Sequence, residues 1–354
     1  MNDLKVIKNV TLNGNLTDLT VKDGRILSIE KTELDGVDFG GAEIYPGLID
    51  VHSHGCIGKD TMRGELEEMA DFYLSHGTTT WYPTTMTMSE EDIIAATEAA
   101  TDLDHGASIP GFHLEGPFIN EKYKGAQNAA FIKKPTMELV KKCRSVKLVT
   151  IAPELEGSLD FIRECPAVVA LGHTDCTYDT ALAAFEAGAR SLTHTYNVMP
   201  PIHHRAPGPI LAGMDDGRVF AQLIADGKHV HPAAVRALVR LYGMDKVVLI
   251  SDSVEAAGLE DGRYTLGGQD IVVTDGVART LEGNLAGSTA TLFDCVKKMI
   301  SFGFSRSDSV RMASETPAKM MGLNKGKIEP GYDADFIIVD KDFNLIRAIA
   351  RGEF

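Results

Sequence analysis

Histidines and carboxylates stand at the ends of short apolar runs along this sequence. His52 and His54 close one such run, and Glu115, His173, His194 and Asp252 each end or follow a later one. Imidazole nitrogens and carboxylate oxygens bind divalent metals and move protons. Because a (β/α)8 barrel places its active site at the strand ends, this pattern predicts a metal-dependent hydrolase.

The type and spacing of these residues suggest individual tasks. His52 and His54 are separated by one residue, so on an extended strand both point to the same side and can hold one metal ion. Glu115 offers a carboxylate that can bridge two cations. Asp252, after the last run, is placed to take a proton from a metal-activated water and later deliver it to the departing amine.

Each of these residues also has a plainer interpretation when taken alone. The histidine pair could be polar strand residues, Glu115 a hydrogen-bonded structural carboxylate, and Asp252 a helix cap. His173 and His194 could each be a structural histidine. Together, four histidines and two carboxylates at successive strand ends favour a shared site.

The elements that would position these residues alternate between strand-like and helical patterns. Leu66, Met69, Ala70, Tyr73 and Leu74 form one helical apolar stripe. Eight runs alternating with such segments predict an α/β fold, a closed (β/α)8 TIM-like barrel. The runs are 44–52, 78–84, 109–115, 147–153, 167–173, 190–195, 218–225 and 246–252.

Both ends of the chain have a different pattern, with strand-like alternation and turn dipeptides such as Asn13-Gly14 and Asp23-Gly24. Neither end has enough apolar positions for a core of its own, so we expect them to pair as one small β-sandwich domain. The predicted division is a small β domain from 1–43 and 323–354, and a barrel from 44–322. Insertions at 116–135 and 259–285 interrupt the barrel, and the second has its own strand-like alternation.

Composition limits the partners and the compartment. The net charge of −15 over 354 residues, without a basic cluster, argues against nucleic acid. No apolar stretch reaches the roughly 20 residues that span a bilayer, so no membrane partner is expected. Five cysteines without a paired spacing favour a reducing compartment, and we expect a cytoplasmic protein.

Several motifs resemble those of a known family. Pro46-Gly-Leu-Ile-Asp-Val-His-Ser-His54 and Gly331-Tyr-Asp-Ala-Asp-Phe336 are similar to motifs of the amidohydrolase superfamily. Within it, the chain resembles the N-acetylglucosamine-6-phosphate deacetylases over nearly its whole length. That resemblance is carried by His113-Leu-Glu-Gly-Pro-Phe-Ile119, Leu171-Gly-His-Thr174, Thr193-His-Thr-Tyr-Asn-Val-Met-Pro-Pro201, His203-His-Arg205, Ala225-Asp-Gly-Lys-His229 and Leu285-Ala-Gly-Ser-Thr289.

The resemblance implies cleavage of N-acetylglucosamine 6-phosphate to glucosamine 6-phosphate and acetate. It assigns Glu115, His173 and His194 to the metal common to the family, and His52 and His54 to a second position that some members lack. Asp252 matches the proton shuttle, which we also expect to be a metal ligand. The implied cofactor is one or two divalent ions, zinc first, with iron, manganese or cobalt open, and the implied assembly is a homodimer.

The resemblance also implies a set of substrate-binding residues. Arg205 matches the phosphate-binding arginine, because in an acidic protein an anionic phosphate needs a local guanidinium. Gln127 stands where many members have histidine, and Ala206 where relatives often have glutamate, so both depart from the pattern. The full predicted set is Ala126, Gln127, Asn197, Val198, Arg205, His229, Leu285, Ala286 and Gly287.

Plainer roles remain open for two of these residues. Arg205 could form a surface ion pair, and His229 could be a structural residue at the end of the seventh strand.

Three other functions remain as alternatives. A deacetylase of N-acetylgalactosamine 6-phosphate would keep the chemistry and change the sugar. A cyclic amidase of the dihydroorotase type is disfavoured because Glu115 stands where such enzymes use a carboxylated lysine. A barrel that binds sugar phosphates without turnover is disfavoured by Asp252, which binding alone does not need.

Overall fold

The computed structural model describes residues 4–353 and begins with a mixed sheet that contains both antiparallel and parallel strand pairs. Its first strands are β1 (Leu4–Leu12), β2 (Asn15–Lys22), β3 (Arg25–Ile29), β4 (Val37–Asp38) and β5 (Glu43–Pro46). The predicted turns Asn13-Gly14 and Asp23-Gly24 join β1 to β2 and β2 to β3. All four turn residues have positive φ, as tight hairpin turns require.

Eight parallel strands form the barrel, as predicted. In sheet order they run β6 (Leu48–Ser53), β9 (Thr78–Thr85), β10 (Phe112–Glu115), β11 (Val146–Ile151), β12 (Val168–Leu171), β13 (Ser191–Leu192), β14 (Phe220–Ile224) and β15 (Val247–Ile250). A hairpin of β7 (Gly55–Cys56) and β8 (Lys59–Asp60) follows β6. The ring closes where the Asp252 N–H, just after β15, donates to the carbonyl of His52 on β6 at 2.9 Å.

The predicted insertion after the eighth strand forms a separate antiparallel meander. Its strands are β16 (Gly262–Leu266), β17 (Gln269–Thr274) and β18 (Val277–Thr280). Leu266, Ile271 and Ala278 pack with Val254 and Ala286 in an apolar cluster beside the barrel mouth. We refer to residues 262–280 as the flap.

The last strands, β19 (Phe336–Val339) and β20 (Leu345–Ile349), pair with β5 and so join the two chain ends in one sheet, as expected. The sheet curls over, because Ile26 and Gly24 bond to the backbone of residues 331–334, and it encloses its own apolar core. The run 44–52 was predicted as one barrel strand, which is wrong. Residues 43–46 belong to the sheet that β1–β5 form with β19 and β20, which we call the end sheet, and only β6 belongs to the barrel. Residues 1–3 and 354 of the predicted end domain lie outside the described residues.

Ten α-helices surround the barrel strands in the described part of the chain. Four residues of the predicted stripe, Leu66, Met69, Ala70 and Tyr73, are buried on α1 (Leu66–Ser75), and Leu74 is half-buried. No helix within residues 4–353 combines the length and apolar character needed to cross a bilayer. The helices are α1 (Leu66–Ser75), α2 (Glu90–Thr97), α3 (Met137–Lys142), α4 (Ser158–Glu164), α5 (Tyr178–Ala187), α6 (Gly208–Asp216), α7 (Pro232–Tyr242), α8 (Leu292–Ser301), α9 (Arg306–Met312) and α10 (Glu315–Met321).

Candidate metal centre and active site

The carboxylate of Glu115, at the end of β10, is the meeting point of the predicted ligands. Its Oε1 lies 3.1 Å from His173 Nε2 and 2.9 Å from His194 Nε2. The two imidazole nitrogens are 3.1 Å apart. All three side chains are buried, so they form one compact group of potential ligands.

A second group of potential ligands adjoins the first and contains His52, His54 and Asp252. Asp252 Oδ1 lies 3.5 Å from His52 Nε2 and 3.3 Å from His54 Nε2. Glu115 links the groups, because its Oε1 is 3.3 Å from His52 Nε2 and its Oε2 is 3.2 Å from His54 Nε2. The six residues therefore form two adjacent groups of potential ligands, with the Glu115 carboxylate in contact with both.

The outer nitrogens of His54 and His173 indicate that this donor set fits a metal. His54 Nδ1 lies 3.1 Å from the Thr84 carbonyl, and His173 Nδ1 lies 2.9 Å from the Tyr123 carbonyl. A carbonyl only accepts, so each Nδ1 must carry a proton, which in the neutral ring leaves a lone pair on Nε2. Both Nε2 atoms face the Glu115 carboxylate. A lone pair and a carboxylate oxygen repel each other, so a cation between them would stabilise this arrangement.

Electrostatics lead to the same conclusion. Burial alone would raise the pKa of the Glu115 carboxyl, but the adjacent His52 and His173 hold it well below its ordinary value. Burial likewise lowers the pKa of His54, but Asp252 and Glu115 outweigh it and raise that pKa to about 10, so a proton on Nε2 would take the position of the cation wherever no cation is bound. The carboxylates thus attract positive charge to this position, which is where a divalent ion would satisfy them.

Three of the ligands have strained backbone at the point where their strand ends. His173, His194 and Asp252 have φ angles of 48°, 27° and 49°, in the left-handed region that non-glycine residues rarely adopt. The carbonyls of His173 and Asp252 accept the backbone N–H groups of Asn120 and Ser288 on neighbouring loops, and the His194 carbonyl accepts that of Asn197 within its own turn. These bonds hold the sharp turns that direct the side chains into the barrel mouth.

The helix-cap interpretation of Asp252 is wrong. The next α-helix along the chain, α8, is capped by Thr291, whose hydroxyl accepts the Asp294 N–H. Asp252 instead lines the cavity at the barrel mouth together with Glu115, His173 and His194. Its backbone N–H closes the barrel, so the side chain stands at the junction of the first and last strands.

Comparison with known proteins identifies the family to which this arrangement belongs. Residues 44–354 match the model of the amidohydrolase family. The chain belongs to this family. The resemblance inferred from the motifs is thereby confirmed.

Close relatives of this amidohydrolase cover nearly all of the chain. An N-acetylgalactosamine-6-phosphate deacetylase of Escherichia coli O157:H7 is 35% identical, covering 99% of this chain and 98% of its own. An N-acetylglucosamine-6-phosphate deacetylase of Bacillus subtilis (strain 168) is 37% identical, covering 87% and 83%. A variant of the Mycobacterium smegmatis N-acetyl-D-glucosamine-6-phosphate deacetylase, solved with N-acetyl-D-glucosamine-6-phosphate, superimposes with a TM-score of 0.91 at 31% identity, covering 99% and 98%.

A cavity of about 260 Å³ opens beside the candidate ligands of this amidohydrolase. Most predicted substrate residues line it. Gly287 can lie there only as glycine, because its φ is 63° and an added Cβ would come within 2.5 Å of Val254. The predicted residues in the wall are Ala126, Gln127, Asn197, Val198, His229, Leu285 and Gly287.

Two predicted substrate residues do not line the cavity. Ala286 is buried behind it, where its N–H bonds to Ala278 of β18 at 3.1 Å. Arg205 lies on an exposed loop, and its Nη1 is 2.7 Å from His204 Nε2. Within the described residues Arg205 forms no ion pair with a carboxylate, and Ala206, where relatives often have glutamate, offers none.

The sequence analysis missed several residues that shape the site. Asp226 Oδ2 lies 2.7 Å from His229 Nδ1 and orients that imidazole, so His229 is both held by the protein and part of the wall. Its spacing of three residues before His229 is a signal that could have identified it. Leu266 of the flap lines the cavity because the flap folds over it, a placement that no local pattern encodes.

Proposed function

We propose that this amidohydrolase removes the acetyl group of N-acetylglucosamine 6-phosphate, giving glucosamine 6-phosphate and acetate. The observation that carries the proposal is the convergence of Glu115, four buried imidazoles and Asp252 beside a cavity of sugar size. The named activities of the relatives support the same reaction. Amide hydrolysis also suits the site, since it needs an activated water and a group that can pass a proton to the amine.

The cofactor in this proposal is a divalent ion, most simply zinc, although the ligand types also suit iron, manganese or cobalt. Glu115, His173 and His194 would hold one ion. His52, His54 and Asp252, with a share of Glu115, would hold a second. A divalent ion held there would polarise the substrate carbonyl and would make water near it more acidic.

Asp252 is the residue that we assign to proton transfer. Burial would raise the pKa of its carboxyl, but His52 and His54 lower it, so the group is ionised and ready to accept a proton. It takes the proton of the attacking water as the bond from that water's oxygen to the carbonyl carbon forms. It then returns the proton to the amine nitrogen as the carbon–nitrogen bond breaks, and acetate and the free amino sugar leave.

Substrate recognition is divided between the cavity wall and its rim. His229, held by Asp226, presents its remaining ring nitrogen to the sugar. The surrounding surface is supplied by Asn197, Val198, Leu285 and Gly287. Ala286 holds Leu285 and Gly287 in place through its bond to β18. We assign the phosphate to Arg205, since none of the residues lining the cavity is a lysine or arginine.

N-acetylgalactosamine 6-phosphate is the second candidate substrate. It is favoured by the Escherichia coli O157:H7 relative, which is 35% identical over nearly the full length. The two sugars differ only in the orientation of one ring hydroxyl, so the metal and Asp252 would act identically on both. A comparison of kcat/KM on the two sugars decides between them.

The first test is metal removal. Activity on N-acetylglucosamine 6-phosphate should disappear when the protein is treated with a chelator and desalted, and should return when zinc is added. Acetate release is measured directly. The same assay on N-acetylglucosamine, which lacks the phosphate assigned to Arg205, shows how much of the activity depends on the phosphate. Acetate release that is indifferent to chelation would contradict the metal mechanism, and tight sugar-phosphate binding without acetate release would favour a binding protein.

We also propose a homodimer in the cytoplasm. The five cysteines support a reducing compartment, since each is free and none forms a disulfide. Molar mass measured in solution by light scattering tests the dimer.

A further inference from the structure

Gln127 forms a hydrogen bond to Glu115, the carboxylate that both groups of candidate ligands share. Its Nε2 lies 2.8 Å from Glu115 Oε2, and its Oε1 lies 2.7 Å from the backbone nitrogen of Thr87. From this geometry we infer that Gln127 is a positioning residue that orients Glu115 for metal binding. The inference rests on the metal site proposed above, and it gives Gln127 a task beyond the substrate contact implied by the resemblance.

The orientation of the Gln127 amide is fixed by its partners. The Thr87 N–H can only donate, so the amide oxygen must face it and the amide nitrogen must face Glu115. The second N–H of that nitrogen faces the sulfur of Met86 at 3.6 Å, a weak acceptor. Both strong partners of the amide are therefore protein groups, and the side chain is 2% exposed.

This contact determines which oxygen of Glu115 each neighbour meets. Gln127 holds Oε2, and Oε1 is then directed at His173 and His194, 3.1 and 2.9 Å away. Without the amide, the carboxylate could rotate about its last bond and lose that alignment. A donor that fixes the carboxylate lowers the entropy cost of binding an ion.

The loop that carries Gln127 is held independently of Glu115. The Gln127 N–H bonds to the Lys124 carbonyl at 2.9 Å. On the preceding residue, the Ala126 carbonyl accepts a hydrogen bond from Gln269 of the flap. Gln127 is thus in place before any ion binds, as a positioning group must be.

The test measures zinc affinity, by competition with a coloured chelator, in wild type and in Gln127→Met. Methionine keeps the length of the side chain and removes both hydrogen bonds. We expect zinc to bind on the order of tenfold more weakly, the lower end of the usual loss for partners of metal ligands. At saturating zinc, KM for N-acetylglucosamine 6-phosphate should stay near the wild-type value while kcat falls.

Gln269→Met is the matched control. It makes the same replacement on the flap and removes a contact to the neighbouring Ala126, but it does not touch Glu115, so zinc affinity should equal that of wild type. Thermal unfolding of the metal-free proteins checks that each variant folds. If Gln127→Met does not fold, Gln127→Ala is used in its place, because it removes the same two hydrogen bonds without added volume.

The outcomes separate this role from the proposed function. Wild-type zinc affinity in the Gln127 variant, or a raised KM with unchanged affinity, would overturn the positioning role and leave a substrate contact. Equal loss of affinity in the Gln269 variant would also overturn it, because the effect would then belong to the loop. A wild-type protein that binds no zinc would instead overturn the metal site itself.

Discussion

Replacing Asp252 with asparagine keeps the size of the side chain but removes its capacity to accept a proton. The side chain is 10% exposed, and its Oδ1 lies 3.3 Å from His54 Nε2. The amide of asparagine has one oxygen in place of two and no basic atom near neutral pH. General acid–base catalysis contributes about 10²- to 10⁴-fold. Because Asp252 would act in both proton transfers, we expect kcat to fall toward the upper end of that range.

The assay follows acetate release at saturating substrate and added zinc. KM and the metal content of each chain are measured in parallel, so that a lost proton shuttle is distinguished from a lost ligand. Asp160→Asn is the matched control, since the Asp160 side chain is 79% exposed on α4 and, within residues 4–353, forms an ion pair only with Arg163. A kcat near the wild-type value in Asp252→Asn, with metal bound, would refute the shuttle role.

Two further predictions concern the rim of the site and the end sheet. Arg205→Ala should raise KM for the phosphorylated sugar by about tenfold or more and leave the unphosphorylated sugar unaffected, as steady-state kinetics on both would show; equal weakening of both sugars would count against phosphate recognition. Asp18→Asn should lower the free energy of unfolding at pH 7 by roughly 1 to 3 kcal/mol, because the buried Asp18 accepts bonds from Asn9, Thr32 and Lys31. Burial would raise the pKa of Asp18, but those bonds lower it from 3.8 to about 2. The contribution of Asp18 to the free energy of unfolding should therefore be complete above pH 4 and disappear as the pH falls through 2, as denaturant titrations at each pH would show. A stability difference between wild type and variant that persists at pH 2 would contradict this prediction.

The candidate ligands were predictable because one topology brings them together. Glu115 and His194 are 79 positions apart in sequence, yet their side chains lie 2.9 Å apart. In a parallel barrel the carboxyl ends of all strands meet at one rim, so identifying a strand end also gives its neighbours in space. The one-residue spacing of His52 and His54 was informative for a different reason, since residues i and i+2 of a strand point to the same side.

The division of the run 44–52 could not be predicted from local pattern. Residues 43–46 and β6 are both apolar and strand-like, and they differ only in their partners. The first piece pairs with β19, nearly 300 residues later, and the Gly47 N–H between the two pieces bonds to the Asp335 carbonyl. Partner choice of that kind depends on the assembled fold.

The task of Gln127 was hidden for a related reason. The orientation of the Gln127 amide is determined by the backbone N–H of Thr87. Every residue except proline has such a group, so no side-chain pattern in the sequence indicates this contact. The assignment of this position to substrate binding rested only on the resemblance of residues 125–128 to a loop of the family. Coordinates were needed to show that the amide already has protein partners on both sides.

The two groups of ligands are not equivalent, and the difference bears on the chemistry. Around Glu115, the nitrogens of His173 and His194 lie at 2.9 to 3.1 Å, whereas Asp252 lies 3.3 to 3.5 Å from its two histidines. In the proposed mechanism Asp252 would have two tasks, since the oxygen atoms that could bind an ion are those that would take a proton. Glu115, His173 and His194 would have only one. Such a division would suit a site that combines binding with proton transfer, because the group that does not titrate would hold an ion while Asp252 acts as a base.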